Sequence, residues 1–197
     1  MFIWLKEILD KEDYNFLKDY NKEYKNMIAY ESIMFTNTGV HSYKDLTPRK
    51  VKNITRVAIY YDVQMDKIKE NVKFLHKTIV DRYPIRKISF EGMNSLKILF
   101  INYIGCLNLE DDNKYNFLHN LPNNIEILVV RLAEYMQPDE NFLIHFNNLP
   151  IGLKYLVFHV GTEINYKLFK KIKLPFSCIL CCTQSNSLII NENLLII

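Results

Sequence analysis

The sequence predicts an α/β fold, a solenoid of about five or six stacked units behind an N-terminal helical cap. Leu121-Pro122 and Leu149-Pro150 begin two similar runs, and their prolines are 28 residues apart. In both runs apolar residues occupy relative positions 1, 4 and 6, which is typical of units that bury one side against their neighbours. The runs with this spacing are Ile54/Val57/Ile59, Ile85/Ile88/Phe90, Leu96/Leu99/Ile101, Ile125/Leu128/Val130, Leu153/Leu156/Phe158 and, more weakly, Cys178/Cys181/Thr183.

The composition is that of a globular protein. The 197 residues are 49% hydrophobic and 24% charged, a balance that allows a buried core. A net charge of +3 is too small to indicate a nucleic-acid partner, and five glycines leave little for phosphate-binding loops. The four cysteines do not form a disulfide framework, which favours a reducing compartment. Because we find neither a signal peptide nor a membrane-spanning apolar run, we expect a cytoplasmic protein without a membrane partner.

The N-terminal segment has a helical pattern. Over residues 2–35, apolar side chains such as Ile8, Phe16 and Tyr20 recur near a 3.6-residue period, with charged residues between them. Asp10 or Asp13 is expected to cap the second of these helices, since a carboxylate there accepts from free backbone N–H groups. We therefore divide the chain into a helical cap at residues 1–46 and a solenoid at residues 47–197.

The remaining elements follow in order. A first strand is predicted over residues 54–61, and a helix over residues 65–80 with Ile68, Val72, Leu75 and Ile79 on one face. Two short strands at 85–90 and 96–101 form either a hairpin or an abbreviated coil of the solenoid. Strands at 96–101, 125–131 and 153–159 each precede a loop and a short helical turn. The last unit enters 178–183, and the apolar tail is expected to close the sheet as a strand or cap.

The pattern also predicts what lies on the second face of the sheet. If positions 1, 4 and 6 face the core, positions 3, 5 and 7 face the other side, and from the third strand onward these are mostly apolar. Such a face requires a cover, which is the N-terminal helices, a second copy of the chain or a binding partner. The candidate partner-binding residues on this face are Tyr60, Ile98, Phe100, Ile127, Val129, Arg131, Tyr155, Val157 and His159.

The two parts of the chain together resemble a known family. From residue 8 to residue 28 the sequence runs Ile-Leu, an acidic turn, Phe16-Leu17, then Asn-Lys-x-Tyr ending at Tyr24, which resembles the later two thirds of an F-box. Units with Leu-Pro and a Leu-x-x-Leu-x-Phe strand resemble leucine-rich-type FNIP repeats. The chain is thus similar to the F-box and FNIP repeat proteins of giant amoeba-infecting viruses and of amoebae.

This resemblance implies a leucine-rich-repeat-like solenoid and a non-catalytic adaptor in the host cell cytoplasm. The F-box-like helices would dock on the Skp-type linker of a host ubiquitin ligase, and the sheet would hold a target protein. The residues implied in docking are Phe2, Trp4, Leu5, Ile8, Leu9, Phe16 and Leu17. Two alternatives stay open: these residues only cap the first unit, or the protein is a structural homodimer that associates through its sheet face.

The sequence offers no catalytic or metal centre that we can defend. Cys178, Cys181 and Cys182 lack the second pair of ligands that zinc requires, and we interpret Cys178 and Cys181 as small core residues. The five histidines share no metal-binding spacing, and none has a nucleophile beside it in a recognisable pattern. The basic run from Lys167 to Lys173 is interpreted as a solvated helix face. We therefore predict no enzyme, no cofactor and no metal.

Overall fold

The computed structural model describes residues 3–27, 33–59, 65–80, 90–104, 121–132, 140–144, 146–160, 166–184 and 187–190. Within these ranges one open sheet contains nine strands in the order β2-β1-β3-β4-β5-β6-β7-β8-β9. The strands are β1 (Ile33–Thr36), β2 (Gly39–Ser42), β3 (Arg56–Ile59), β4 (Phe74–Val80), β5 (Ile98–Ile104), β6 (Ile127–Arg131), β7 (Tyr155–Val160), β8 (Ile179–Gln184) and β9 (Ser187–Ile190). The α-helices are α1 (Lys11–Met27), α2 (Pro48–Val51), α3 (Glu140–Ile144) and α4 (Tyr166–Phe169), and short 3-10 helices span Ile3–Glu7 and Tyr43–Asp45.

The middle of the sheet is parallel, and its ends are antiparallel. Strands β3 to β8 pair in parallel, whereas β2, β1 and β9 run antiparallel to their neighbours. Each parallel strand starts at the same level as the one before it. The carbonyls of Thr55, Lys73, Lys97 and Glu126 each accept from two successive N–H groups of the following unit, at 2.8 to 3.1 Å. This repeated hydrogen bond fixes the register.

A tight turn precedes the strand in each Leu-Pro unit. The N–H groups of Ile125, Leu153 and Cys178 donate to the carbonyls of Pro122, Pro150 and Pro175, at 3.2, 3.0 and 3.1 Å. The turns lie close together, because a Cβ on Gly152 would stand 3.0 Å from the carbonyl oxygen of Asn123. The Leu-Pro pairs in the sequence therefore mark equivalent turns in the fold.

The 1-4-6 pattern correctly identifies the core on one face of the sheet, which we call the first core. The three residues of each run at 54–59, 96–101, 125–130 and 153–158 are at most 2% exposed. Helices α3 and α4 close this core from outside. The Phe158 ring lies 4.9 Å from the Phe146 ring and 4.8 Å from the Phe169 ring, between centroids, and Phe142 packs beside them.

The predicted helix over residues 65–80 is wrong, because the chain forms turns over residues 66–71 and then strand β4. Val72 and Leu75 are both buried in the first core, at the same places as Leu96 and Leu99 in the next unit. A spacing of three residues fits a helix face and also positions 1 and 4 of a unit. The β-branched and aromatic content of 74–80 decides for the strand.

The N-terminal helical prediction is partly wrong. Helix α1 begins after Asp10, whose carboxylate accepts from the backbone N–H of Asp13 at 2.7 Å, so the predicted cap at Asp10 is confirmed. The helix ends at Met27, and Ile33–Thr36 is a strand instead. β1 forms a hairpin with β2 and pairs with β3, so it extends the sheet.

The last unit also departs from the prediction. Leu156 pairs with Leu180, and Phe158 with Cys182, so Leu180 and Cys182 enter the first core while Cys181 faces the other way. The cause is one missing residue after the turn, because Leu180 is the second residue after Cys178 whereas Leu156 is the third after Leu153. Part of the apolar tail does close the sheet, as β9. Residues 85–89 of the predicted strand at 85–90, the helical turn predicted after the strand at 96–101 and residues 191–197 lie outside the described residues.

We expect Phe158→Ala to lower the free energy of unfolding by about 3 to 5 kcal/mol, since it opens a cavity among three packed rings. Phe176→Ala is the matched control, because that side chain is 98% exposed and should change stability by less than about 0.5 kcal/mol. Urea unfolding followed by circular dichroism measures both. Equal effects of the two substitutions would contradict the placement of the first core.

Candidate functional site: the interface between the N-terminal helices and the sheet

Three rows of side chains cross the second face of the sheet. The first row lies at the amino ends of the strands and contains Arg56, Phe74, Ile98, Ile127, Tyr155 and Ile179. The inner row and the outer row follow it in the direction of the strands. The inner row is almost wholly apolar and contains Ala58, His76, Phe100, Val129, Val157 and Cys181. The outer row, nearer the carboxyl ends of the strands, is polar and contains Thr78, Asn102, Arg131, His159 and Thr183. Ligands commonly bind at the carboxyl ends of the strands of a parallel sheet, so these polar groups mark a candidate site.

The N-terminal helices cover the inner row and form a second core with it. The side chains that they contribute are at most 7% exposed. The ring of Phe16 lies 5.1 Å from that of Phe35 and 5.3 Å from that of Phe74, between centroids. The helices therefore supply the cover that the sheet pattern requires. Their buried residues in the second core are Leu5, Leu9, Phe16, Leu17 and Tyr20.

His76 is enclosed at the centre of this interface. Its side chain is 1% exposed, and neither ring nitrogen has a hydrogen-bond partner. The rings of Tyr20 and Phe100 meet it edge-on, at centroid distances of 4.5 and 4.6 Å. Burial, together with the charge of Arg131, lowers the pKa of His76 to about 3. Protonation of His76 therefore destabilises the packing of the helices on the sheet.

The outer row is held by side chains from both layers. The Trp4 ring stacks on the His159 ring with centroids 5.5 Å apart and planes 21° apart. His159 Nδ1 lies 2.6 Å from Thr183 Oγ1, and the Tyr20 hydroxyl lies 3.5 Å from Thr78 Oγ1. Burial, then the charges of Arg131 and of the N-terminal amine, lower the pKa of His159 to about 4. His76 and His159 are thus both neutral at pH 7 when the helices are in place.

An ion pair fixes the first turn of α1 to the first parallel strand. The Arg56 guanidinium donates to the carboxylate of Asp13, which is 6% exposed, and to Glu12 Oε2 at 2.8 Å. Burial raises the pKa of Asp13, while the hydrogen bond and charge of Arg56 act to lower it. Removing the cation would leave a buried carboxylate without its partner, which is far more costly than losing an exposed pair.

The structure places most of the predicted site residues inside this interface. Of the predicted docking residues, Leu5, Leu9, Phe16 and Leu17 are buried, and Trp4 and Ile8 are half-buried against the sheet. Of the predicted target-binding residues, Phe100, Ile127, Val129 and Val157 are buried beneath the helices, and Ile98, Arg131, Tyr155 and His159 are half-buried. Phe2 and Tyr60 lie outside the described residues. The two predicted sets are therefore the two sides of one contact.

Sequence reasoning missed His76 and Thr78, because both fell in the segment predicted as a helix. The signal that identifies them is the position 1 and 4 spacing of Val72 and Leu75, which places His76 at position 5 of a unit. In the last unit, the 1-4-6 pattern predicts Leu180 and Cys182 on the second face, but both face the first core. The pattern predicts Cys181 in the first core, but Cys181 lies in the second core.

The cysteines of the last unit are unreactive where they lie. Cys178, Cys181 and Cys182 are buried free thiols, and burial raises their pKa values to about 11, 12 and 12. A thiol with so high a pKa carries almost no thiolate at neutral pH. In the described part of the chain, no three His, Cys, Asp or Glu side chains are grouped so as to hold a metal ion. No helix of these ranges is long and apolar enough to cross a membrane.

Comparison with protein-family models, with curated proteins and with solved structures gives no match to this chain.

We expect the free energy of unfolding to fall as the pH is lowered below 6.5. Folding lowers the pKa of His76 and of His159, so the stability that depends on their neutral forms is fully present above pH 6.5. It is lost as the pH falls toward about 4 for His159 and about 3 for His76. Below pH 6 each histidine adds a slope of about 1.4 kcal/mol per pH unit. Urea unfolding at about pH 7.0, 6.0, 5.0 and 4.5 measures the slope.

His76→Leu identifies the residue responsible. Leucine fills the space between the Tyr20 and Phe100 rings without a buried polar atom, so the variant should lose about half of the pH dependence. A variant whose slope equals that of the wild type would contradict the assignment of the acid sensitivity to the buried histidine.

Proposed function

We propose that this protein is a non-catalytic protein–protein interaction module, a leucine-rich-repeat-like solenoid that acts as an F-box-like adaptor. The observation that carries the proposal is the interface of the N-terminal helices with the sheet. It joins the segment that resembles an F-box to the row of units that resembles FNIP repeats. The equivalent turns, the constant register and the first core that continues from unit to unit support the solenoid.

The adaptor in this proposal has a closed and an open state. The apolar side chains implied in linker docking face those implied in target binding, so neither set is accessible while the helices lie on the sheet. A Skp-type linker that binds the helices must detach them, and it would then expose the sheet to a target. Binding energy is reduced by the free energy of that opening. A homodimer through the sheet face would require the same opening.

The Arg56 ion pair sets how easily the helices detach. Arg56→Met leaves the Asp13 carboxylate without its cation in the closed state only, because water solvates it in the open state. We therefore expect the variant to bind an amoebal Skp-type linker at least fivefold more tightly than the wild type does. Lys97→Met is the control, since it removes an exposed ion pair between Lys97 and Glu126 of the next unit, and it should leave affinity unchanged.

The chain contains one tryptophan, Trp4, which reports on opening. The chain labelled with 5-fluorotryptophan is titrated with unlabelled linker, and complex formation is followed by size-exclusion chromatography with light scattering. We expect a 1:1 complex and a shift of the fluorine resonance as the ring leaves His159. Absence of a complex with both the wild type and Arg56→Met would refute the adaptor. A complex without a fluorine shift would refute the opening step.

A further inference from the structure

The five equivalent turns that precede strands of the sheet differ at one exposed position. In each turn a backbone N–H donates to the carbonyl three residues earlier, as Ile54 does to Val51 and Leu96 does to Met93. The residue after that carbonyl is exposed in all five turns. It is polar in the first three and apolar in the last two. These residues are Lys52, Asn94, Asn123, Ile151 and Phe176.

The two apolar side chains project into water on neighbouring units. Ile151 is 91% exposed and Phe176 is 98% exposed. Their strands, β7 and β8, are paired, and paired strands lie about 4.8 Å apart. A single exposed apolar residue is ordinary, but two at the same place on adjacent turns form a ridge. We call this ridge, together with the exposed Lys154, Lys170, Lys171 and Lys173, the turn ridge.

Positive charge accompanies these two side chains. Lys170, Lys171 and Lys173 are exposed just before the last turn, and Lys154 is exposed just after the turn of Ile151. Lys154 pairs with Glu126, and Lys171 pairs with Glu140. Within the described residues, Lys170 and Lys173 make no ion pair. Among the described residues around the ridge, the four lysines outnumber the two glutamates that pair with them.

We propose that the turn ridge binds the surface of a membrane that contains anionic lipids. Ile151 and Phe176 would enter the headgroup region, and the lysines would lie against lipid phosphates and carboxylates. The observations favour a bilayer over a protein partner. Protein interfaces are enriched in Arg and depleted in Lys, whereas the charge here is all Lys. Side chains that project from turns need no complementary pocket when they enter a bilayer.

This inference is independent of the adaptor proposal and revises the sequence-based expectation of no membrane partner. That expectation was based on the lack of an apolar segment long enough to span a bilayer. Attachment through exposed apolar tips and a basic surface needs no such segment, because burial of the tips adds to the attraction between lysines and anionic lipid. The lipid charge gives the association its specificity and its sensitivity to salt.

The test is flotation of the full chain with two kinds of vesicle, one of phosphatidylcholine alone and one containing about 30% phosphatidylserine to supply a negative surface potential. We expect binding to the anionic vesicles, weak binding to the neutral ones, and loss of binding at high salt. The double variant Ile151→Asn and Phe176→Asn copies the residue already present at Asn94 and Asn123, so it suits these turns. It should reduce partitioning about tenfold or more.

Two further variants separate the contributions. Lys170→Gln with Lys173→Gln should reduce partitioning to anionic vesicles about 25-fold, or roughly fivefold for each charge, and leave the weak binding to neutral vesicles unchanged. Val40→Asn changes an exposed apolar residue on strand β2, at the far edge of the sheet, and should leave partitioning unchanged. Failure of the wild type to float with anionic vesicles overturns the proposal. A ridge that binds a protein instead of a membrane predicts that result. Equal binding by the double Asn variant overturns the insertion.

Discussion

The structure depends on covering both faces of a parallel sheet. From β3 to β8 the first core on one face and the inner row on the other are almost wholly apolar, so neither face tolerates water there. Successive units and the short helices α3 and α4 close one face. On the other face, the cover within the described residues comes from the N-terminal helices. This single requirement explains why a helix rich in charged residues keeps a buried stripe, and why Phe16, Leu17 and Tyr20 lie within the protein.

The cover is not an ideal hydrophobic seal. His76 lies in the middle of it without a hydrogen-bond partner, and Arg56 pairs with a nearly buried carboxylate at its edge. Both features make the closed state depend on protonation and on one cation. A protein optimised only for stability would place apolar residues at these positions. An interface built this way is suited to being opened, as the proposed adaptor would require, since its docking residues face inward.

Much of the fold follows from the sequence, because a strand that pairs in constant register repeats its apolar spacing. Residues such as Leu128 and Phe158 identify the first core directly, and the pattern of positions 3 and 5 shows that the second face needs a cover. Two features escape such reasoning. The spacing of Val72 and Leu75 fits a helix face and a strand unit equally well, so sequence reasoning misses strand β4 and His76 within it. One residue fewer before Leu180 reverses which side chains of β8 face the first core, since side chains alternate with a period of two. Which of the three candidate covers lies on the sheet depends on tertiary contact, which spacing does not encode.

The most direct test of the account is an NMR measurement of contacts between α1 and the sheet. In a sample that mixes isotope-labelled and unlabelled chains, nuclear Overhauser effects within one labelled chain are separated from those between chains. The account predicts intrachain effects from the Phe16 ring to the Phe74 ring and from the Tyr20 ring to the His76 ring. Effects observed only between labelled and unlabelled chains, or a folded sheet without either contact, would contradict the claim that the chain covers its own sheet.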